Sequence, residues 1–340
     1  MTNSNTQLTS SEIAAIWTSY MNDSMNQCIL EYFLKDVEDS EIRSLVQQTY
    51  DFISTHVNKL DQLFIMEKLP LPAGFGKEDV NLNAPRLYTD GLMLEYIGHL
   101  TRVGLVAYSG FITTSARKDI KTIFKEGITG VLELYDRATD ISVDKGLFVR
   151  PPYIPYPTKA DMIDSKKYFS GMNPFSNKRP LNAVEISYLH MNVRTNMIGG
   201  KLAISFAQVS AVEKVQNWML RGRDITKKHI GIFAKILSDN DLLAPLSSDV
   251  SITDSTIPPF SEKLGMFLFA ELCALGIGNY ATAAGASQRH DLIVNYERLS
   301  LEVAQYAKDG AEIMIENGWL EQPPGTVDKE KLAKSKNKHN

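Results

Sequence analysis

The chain has 340 residues, 44% of them hydrophobic and 22% charged, and a net charge of −4. That length leaves room for two domains with cores of their own, in a composition ordinary for a soluble globular protein. The acidic balance lacks the basic face of a phosphate-backbone binder, so no nucleic-acid partner is expected, and two lone thiols, Cys28 and Cys273, fit a reducing, cytoplasmic compartment.

Met1–Gln7 lacks the basic start and apolar stretch of a secretion signal. The first segment of helical period puts Ile13, Ile16, Trp17, Tyr20, Ser24 and Cys28 on one stripe, with Ser10 or Ser11 as the N-cap. A second carries Ile42, Leu45, Val46, Thr49, Ile53, His56, Leu60, Leu63 and Phe64, and ends before Leu69-Pro70-Leu71-Pro72. After a Gly/Asn/Pro-rich connection, Ala73 to Pro85, a third helix is predicted over Arg86–Ile112. A fourth starts near Ser115 and stops at Gly146, a typical C-terminal glycine. Val149–Arg179 holds five prolines, Pro151, Pro152, Pro155, Pro157 and Pro174, so it cannot stay helical. Its aromatics, Tyr153, Tyr156, Tyr168 and Phe175, suggest packing along a bundle. Four further helices follow at Val184–Val209, Val212–Leu237, Pro259–Ala284 and Gln288–Asn317, and then a charged tail.

The second four helices repeat the first. Leu8-Thr-Ser-Ser-Glu-Ile13 lines up with Leu181-Asn-Ala-Val-Glu-Ile186, and His56, Pro72 and Pro85 line up with His229, Pro245 and Pro258. After one deleted residue Tyr108 meets Tyr280, Arg117-x-Asp119 meets Arg289-x-Asp291, and Pro151-Pro152 meets Pro323-Pro324. A period of about 170 residues is domain-sized, far beyond the roughly 20–50 residues of a solenoid unit. The reading is all-α: two tandem four-helix bundles related by internal duplication, residues 1–157 and 181–325, joined by a Pro/aromatic linker, 158–180, with a flexible tail, 326–340. Leu264–Ala286 carries a single acid, Glu271, and is long enough to cross a bilayer. Its repeat partner, Leu87–Thr114, contains Asp90, Glu95, His99 and Arg102, so a buried helix, not a membrane span, is expected. The small residues of that helix (Gly265, Gly276, Gly278, Gly285) suggest close backbone approach.

Helical bundles with inward polar groups raise the di-iron carboxylate site, which needs Glu-x-x-His on two helices. The residues three before each histidine outside the tail are Ile53, Tyr96, Ser187, Thr226 and Ser287, none acidic, so that signature is absent. A mononuclear site for iron, zinc or manganese remains conceivable. If helix three runs antiparallel to helix two, His190, His229 and Glu271 come level, with His56 and His99 as the lesser candidates in repeat one. If helix three runs parallel, a residue near Gly104 or Gly276 takes that level and the set dissolves. For His56 a hydrogen-bonded core role is the simpler reading. The Arg-x-Asp pair opening each fourth helix reads as a structural ion pair. No nucleotide, hydrolase or Cys-x-x-Cys motif occurs, so no catalytic residues are assigned and a non-catalytic protein is favoured over an enzyme.

Leu8-Thr-Ser-Ser-Glu-Ile13, Ile16-Trp-Thr-Ser-Tyr-Met-Asn-Asp23, Arg150-Pro-Pro-Tyr-Ile-Pro-Tyr-Pro157, Lys227-Lys-His-Ile230, Gly276-Ile-Gly-Asn-Tyr280 and Glu316-Asn-Gly-Trp-Leu-Glu-Gln-Pro-Pro324 together resemble a tandem-domain family of spore-forming bacteria known only as a domain of unknown function. The resemblance covers residues 8–324. It implies two ferritin-like four-helix bundles and brings no catalytic residues; single-domain relatives carry a spore-coat label that rests on similarity rather than chemistry. Three readings follow: a non-catalytic helical component of the sporulating or stressed cell, with self-association or coat proteins as partners; a metal-binding bundle with its site in repeat two; and a small-molecule binder using a pocket between helices.

Overall fold

The computed structural model describes residues 6–172, 178–245 and 251–335, so Pro174, Phe175 and His339 lie outside the described residues. Repeat one forms α1 (Ser10–Asp36), α2 (Ser40–Glu67), α3 (Asp90–Thr114) and α4 (Lys118–Asp144). Repeat two forms α5 (Ala183–Val209), α6 (Glu213–Ser238), α7 (Glu262–Ala286) and α8 (His290–Glu316). A short α9 (Lys329–Ser335) lies in the charged tail. No strand occurs among the described residues, and the chain is all-α, with two duplicated four-helix units.

The starts of the helices follow from capping chemistry. Thr9, not Ser10 or Ser11, caps α1: its hydroxyl accepts from the Glu12 N–H, while Glu12 accepts from the Thr9 N–H at 2.8 Å. Asn182 and Glu185 build the same capping box on α5. Each glutamate then reaches across its bundle. Glu12 Oε1 accepts from the backbone of Ala116 and Arg117 at 2.9 and 2.7 Å, and Glu185 Oε1 from Gln288 and Arg289 at 3.1 and 3.0 Å. One buried carboxylate thus satisfies the start of the first helix and the orphan amides that open the fourth. The third helices begin later than the periodicity predicts, at Thr89 and Ser261 caps, because the residues before them are committed elsewhere.

Those residues belong to the long connections between helices two and three. The two connections pair antiparallel, Val80 against Phe260 and Tyr88 against Ile252, with Thr253 N–H donating to Leu87 O at 2.9 Å and Ser261 N–H to Asp79 O at 3.0 Å. At an offset of 172 residues each half of this pairing maps onto the other, which places the one-residue deletion before Asp79 rather than after Pro85. The duplication therefore behaves as a fused two-fold dimer with its crossovers joined on the axis.

Three contacts settle the direction of helix three. The α2 and α3 starts meet, since the Asp39 N–H donates to Asp90 Oδ2 at 2.7 Å. The α1 start meets the α3–α4 turn through Glu12, and the α1 end meets the α3 start through Phe33 against Tyr88 and Tyr96, ring centroids 5.8 and 5.5 Å apart. Helix three runs parallel to helix two, and the Glu185 contacts give the same direction in repeat two.

The larger hydrophobic cluster runs through bundle one into bundle two, taking in Phe206, Trp218, Phe260, Phe267 and Phe269. A smaller one, around Leu189, Phe233, Tyr280 and Tyr296, closes the far end of bundle two. Helix α7 is the one described helix apolar and long enough to cross a membrane, with a mean hydropathy of 1.4. It packs on α8, on α5 and, through Phe267 against Phe75 at 5.1 Å, on repeat one. Its glycines do not all mark close approach. A Cβ on Gly265 would meet the Phe206 ring at 2.6 Å, but Gly276, Gly278 and Gly285 have open space around them. The linker is likewise divided. Tyr168 packs under Arg179 at 4.0 Å, whereas Tyr153 and Tyr156 stand 86% and 94% exposed.

Candidate functional site

With helix three parallel to helix two, the level of His56 and His229 is taken by Tyr108 and Tyr280. His190, His229 and Glu271 are therefore not brought together: they end in three different places. No group of three or more His, Cys, Asp or Glu side chains able to hold a metal ion occurs among the described residues. The antiparallel assumption, not the choice of residues, is what the structure corrects.

His229, fully buried on α6, sits in a chain of directed hydrogen bonds. Asn196 Nδ2–H donates to the Tyr280 hydroxyl at 2.8 Å, Tyr280 O–H to His229 Nδ1 at 2.8 Å, and His229 Nε2–H to Glu302 Oε2 at 3.1 Å. Burial pushes the His229 pKa down, against the opposing pull of Glu302, which favours the neutral imidazole this order requires. Both ring nitrogens are in use. In repeat one the chain is cut short. Asp23 stands at the position of Asn196 and accepts from His56 Nδ1 at 2.6 Å, with the Tyr108 hydroxyl 3.5 Å from the same nitrogen. The position of Glu302 is Gly130, whose missing side chain leaves room for Phe52; the Phe52 ring lies parallel to His56 at 6.3 Å. His56 Nε2 is buried without a partner. These histidines hold their cores together.

Glu271 reaches out of repeat two altogether. It lines a cavity of about 120 Å³ inside bundle one, beside Asn22, Asp23 and Asn26 of α1. Burial raises its pKa, with only Asn22 hydrogen-bonding against that. The repeat-equivalent cavity in bundle two, between Asn196, Gly222, Gly276 and Tyr280, is about 70 Å³. Both have room for a few waters at most.

His190 and His99 do meet, across the junction of the halves. They line a cavity of about 280 Å³ bounded by α3 and α4 of repeat one and α5 of repeat two, with Phe148 and Pro151 also on its wall. Arg102 and Arg194 share its wall, as do the hydroxyl residues Tyr135, Thr139, Ser142 and Ser187. Arg102 donates to Thr195 Oγ1 at 3.2 Å and lies 3.5 Å from His99 Nδ1; the Arg194 guanidinium lies over Phe148 at 5.2 Å. His190, 3% exposed, and His99 each keep a buried Nε2 with no partner. Burial, then the Arg102 and Arg194 charges, push His99 down to about 3; burial and Arg194 push His190 down to about 4. Both are neutral at pH 7.

The duplication supplies an internal control. The positions equivalent to Arg102, His190, Arg194 and Ile198 are Ala274, Trp17, Met21 and Met25, and those equivalent to Leu94, Glu95 and Ser142 are Met266, Phe267 and Met314. Met21, Met25, Met266, Phe267 and Met314 are buried core residues, and Trp17 packs against the same core. One side of the pseudo-two-fold is filled with methionine and aromatic side chains, while the other is a polar cavity. Sequence reading singled out His99 and His190 but missed Arg102 and Arg194. A charge in one copy opposite alanine or methionine in the other is the signal that would have found them.

The Arg-x-Asp pairs are structural, as expected. Arg117 bridges Asp119 and, at 2.7 Å, Glu67 of α2; Arg289 bonds Asp291, and Asp291 is bonded in turn by Lys178. Cys28 and Cys273 are buried free thiols, both pushed up to about 12 by burial, and are poor nucleophiles.

Fold and site together define a tandem helical protein in which His56 and His229 are hydrogen-bonded into the bundle cores and a distinctive cavity lies between the halves. The chain belongs to the family described as protein of unknown function DUF3231, which matches it twice, over residues 1–160 and 169–332. No curated protein matches it. Among solved structures it is similar to a "putative spore coat protein" from Bacillus halodurans C-125, at 17% identity and a TM-score of 0.41, over 45% of this chain and 98% of that one.

Proposed function

We propose that the chain is a non-catalytic helical protein that takes up a small molecule in the cavity at the junction of its two bundles. The observation that carries this reading is the broken pseudo-symmetry. A wall that packs with Trp17, Met21 and Met25 on one side of the axis is built from His190, Arg194 and Ile198 on the other, leaving about 280 Å³ open. Leaving such a space costs stability that the same fold recovers in its other half. Its volume lies at the lower edge of ordinary small-molecule sites, roughly 300–1,000 Å³, and its mix of apolar wall and convergent polar groups is theirs.

The long crossover in each unit supports a ferritin-like reading of the bundles, without ferritin chemistry. Iron, zinc or manganese binding is the less favoured alternative, because His99 and His190 share their cavity with two guanidinium groups, which repel a cation. The test is ligand-observed NMR with a fragment library on the full chain. His190→Trp, which copies Trp17, is expected to fold like the parent and to abolish binding of the fragments that the parent takes up. Fragments bound equally by both proteins would refute the cavity as the site.

A second reading, a spore-associated structural component assembled with itself or with coat proteins, draws on the sequence resemblance and on the exposed linker. Tyr153, Tyr156 and Met162 stand 86%, 94% and 88% exposed on one strap, an unusual apolar display for a surface segment. Replacing the three with serine should leave the fold intact and remove self-association in light scattering. A monomeric parent protein, also absent from purified spores, would remove this reading.

A further inference from the structure

We infer that the junction cavity is an anion site, built for a small organic carboxylate or phosphate ester whose charged end lies between Arg102 and Arg194. The inference rests on the ligand-binding reading above and names the ligand's chemistry.

Charge accounting leads there. Among the described residues six of the twelve arginines have no carboxylate partner; Arg102 and Arg194 are the two of these that share one cavity wall, whereas Arg43 and Arg137 are each bonded by two neutral acceptors. The one acid of the cavity wall, Glu95, is held at 2.6 Å by Lys201 and so offers neither arginine a full counter-charge. A half-buried guanidinium with only a threonine hydroxyl and a neutral imidazole as partners is an expensive thing to fold around. The exposed Arg194 guanidinium on the same wall repels it as well. A bound carboxylate or phosphate removes both costs, and guanidinium forks bind these groups with paired, charge-assisted hydrogen bonds.

The remainder of the wall fixes the shape of the ligand. Leu94, Phe148, Pro151 and Ile198 offer an apolar face to its body. The hydroxyl residues Tyr135, Thr139, Ser142 and Ser187 on the same wall offer hydrogen bonds to polar atoms of the ligand's body. The volume equals about nine water molecules, room for about ten non-hydrogen atoms. An inorganic anion alone would leave the apolar face uncovered.

Calorimetric titration of the full chain with benzoate, phenyl phosphate, inorganic phosphate and the neutral benzamide tests this. Benzoate or phenyl phosphate should bind, the stronger of the two telling which head group is preferred, and benzamide and inorganic phosphate should each bind about tenfold more weakly or worse. Arg102→Met and Arg194→Met should each weaken the preferred probe about tenfold, and added salt should weaken it in the parent protein. Arg194 is exposed at the rim, so its variant decides the matter even if Arg102→Met fails to fold. Benzamide binding as tightly as benzoate, or arginine variants that bind like the parent, would overturn the anion assignment and leave the cavity as a neutral-ligand site. Inorganic phosphate binding as well as phenyl phosphate would overturn the organic body. Probes that bind His190→Trp undiminished, or no probe binding the parent more tightly than about 10 mM, would overturn both the anion assignment and the cavity reading.

Discussion

Giving the cavity wall the residues of its own pseudo-symmetry mate should stabilise the protein. The variant is Arg102→Ala with Arg194→Met, copying Ala274 and Met21. Burial and the neighbouring Arg194 both push the Arg102 pKa down, so the fold disfavours the charged form that Arg102 carries at neutral pH. Removing that half-buried charge and its repulsion is worth about 2 kcal/mol at an effective permittivity of about 20. A methionine at the exposed position 194 that folds inward over the vacated wall, as Met21 is buried in the other copy, adds about 1 kcal/mol. Against this stand the bond from Arg102 to Thr195, about 1 kcal/mol, and the Arg194–Phe148 cation–π contact, about 0.5 kcal/mol. The net expectation is a gain of about 1–2 kcal/mol, read as a higher urea midpoint in the helical circular-dichroism signal at unchanged slope. It should come with loss of ligand binding, the trade expected where a site is held open for function. A loss of more than about 1 kcal/mol would refute the reasoning: the arginines would then be fastening the halves together, and the cavity would be architectural.

Acid should destabilise the chain through the same site. His99 and His190 protonate near 6.5 when unfolded but only near 3 and 4 when folded, so the unfolded state binds more protons as pH falls below 6.5 and stability drops with it. By pH 5 the loss should reach about 2 kcal/mol per histidine, and denaturation of His99→Asn with His190→Asn should show a flatter pH profile. Glu12→Ala should cost about 3–5 kcal/mol in chemical denaturation, because the Thr9, Ala116 and Arg117 amides all lose their acceptor; a cost under about 1 kcal/mol would mean that the carboxylate bridge is dispensable. Tyr280→Phe should cost about 1–3 kcal/mol by stranding Asn196 and His229, whereas Tyr108→Phe, whose nearest polar neighbour is the 3.5 Å contact to His56, should cost less. Residues 1–157 expressed alone should dimerise through the crossover, since Tyr32 and Tyr88 would lose Phe260 and Ser205; a monomer by light scattering, as stable as the full chain, would disprove the shared core.

The helices were legible in the sequence through local periodicity and the duplication through matched residues about 170 apart, whereas the Thr9 and Asn182 caps with their glutamates were not, since periodicity puts the first cap at Ser10 or Ser11. Nor was helix direction. A connection of about 20 residues spans a helix in either sense, and only the pairing of one crossover with the other selects the parallel arrangement. That pairing lies 170 or so residues apart in sequence and leaves no periodic trace. The misplaced metal set follows from this single ambiguity. Gly276 and Gly104 were marked as what a parallel helix three would present, and they line the cavities beside Tyr280 and Tyr108.

What the two copies share defines the fold. Shared residues answer to the pseudo-two-fold: the glutamate bridges, the Arg-x-Asp starts and the His–Tyr cores. Function is to be sought where the copies part. His99 differs from Glu271, and His190 from Trp17, but the sequence grouped His190 and Glu271 with His229 in one metal set. In space, Arg102, which lies against His99, bonds Thr195 of the other half, and Glu271 bonds Asn22 across the equivalent seam. Each third helix meets the other repeat's first helix, so every difference on these two helices lands on one seam or its mate. A fused dimer can therefore keep one seam packed for stability and open the other, which two identical subunits obeying exact symmetry cannot do. That freedom is the physical advantage of fusing the copies, and Arg102 and Arg194 mark the seam on which it was used.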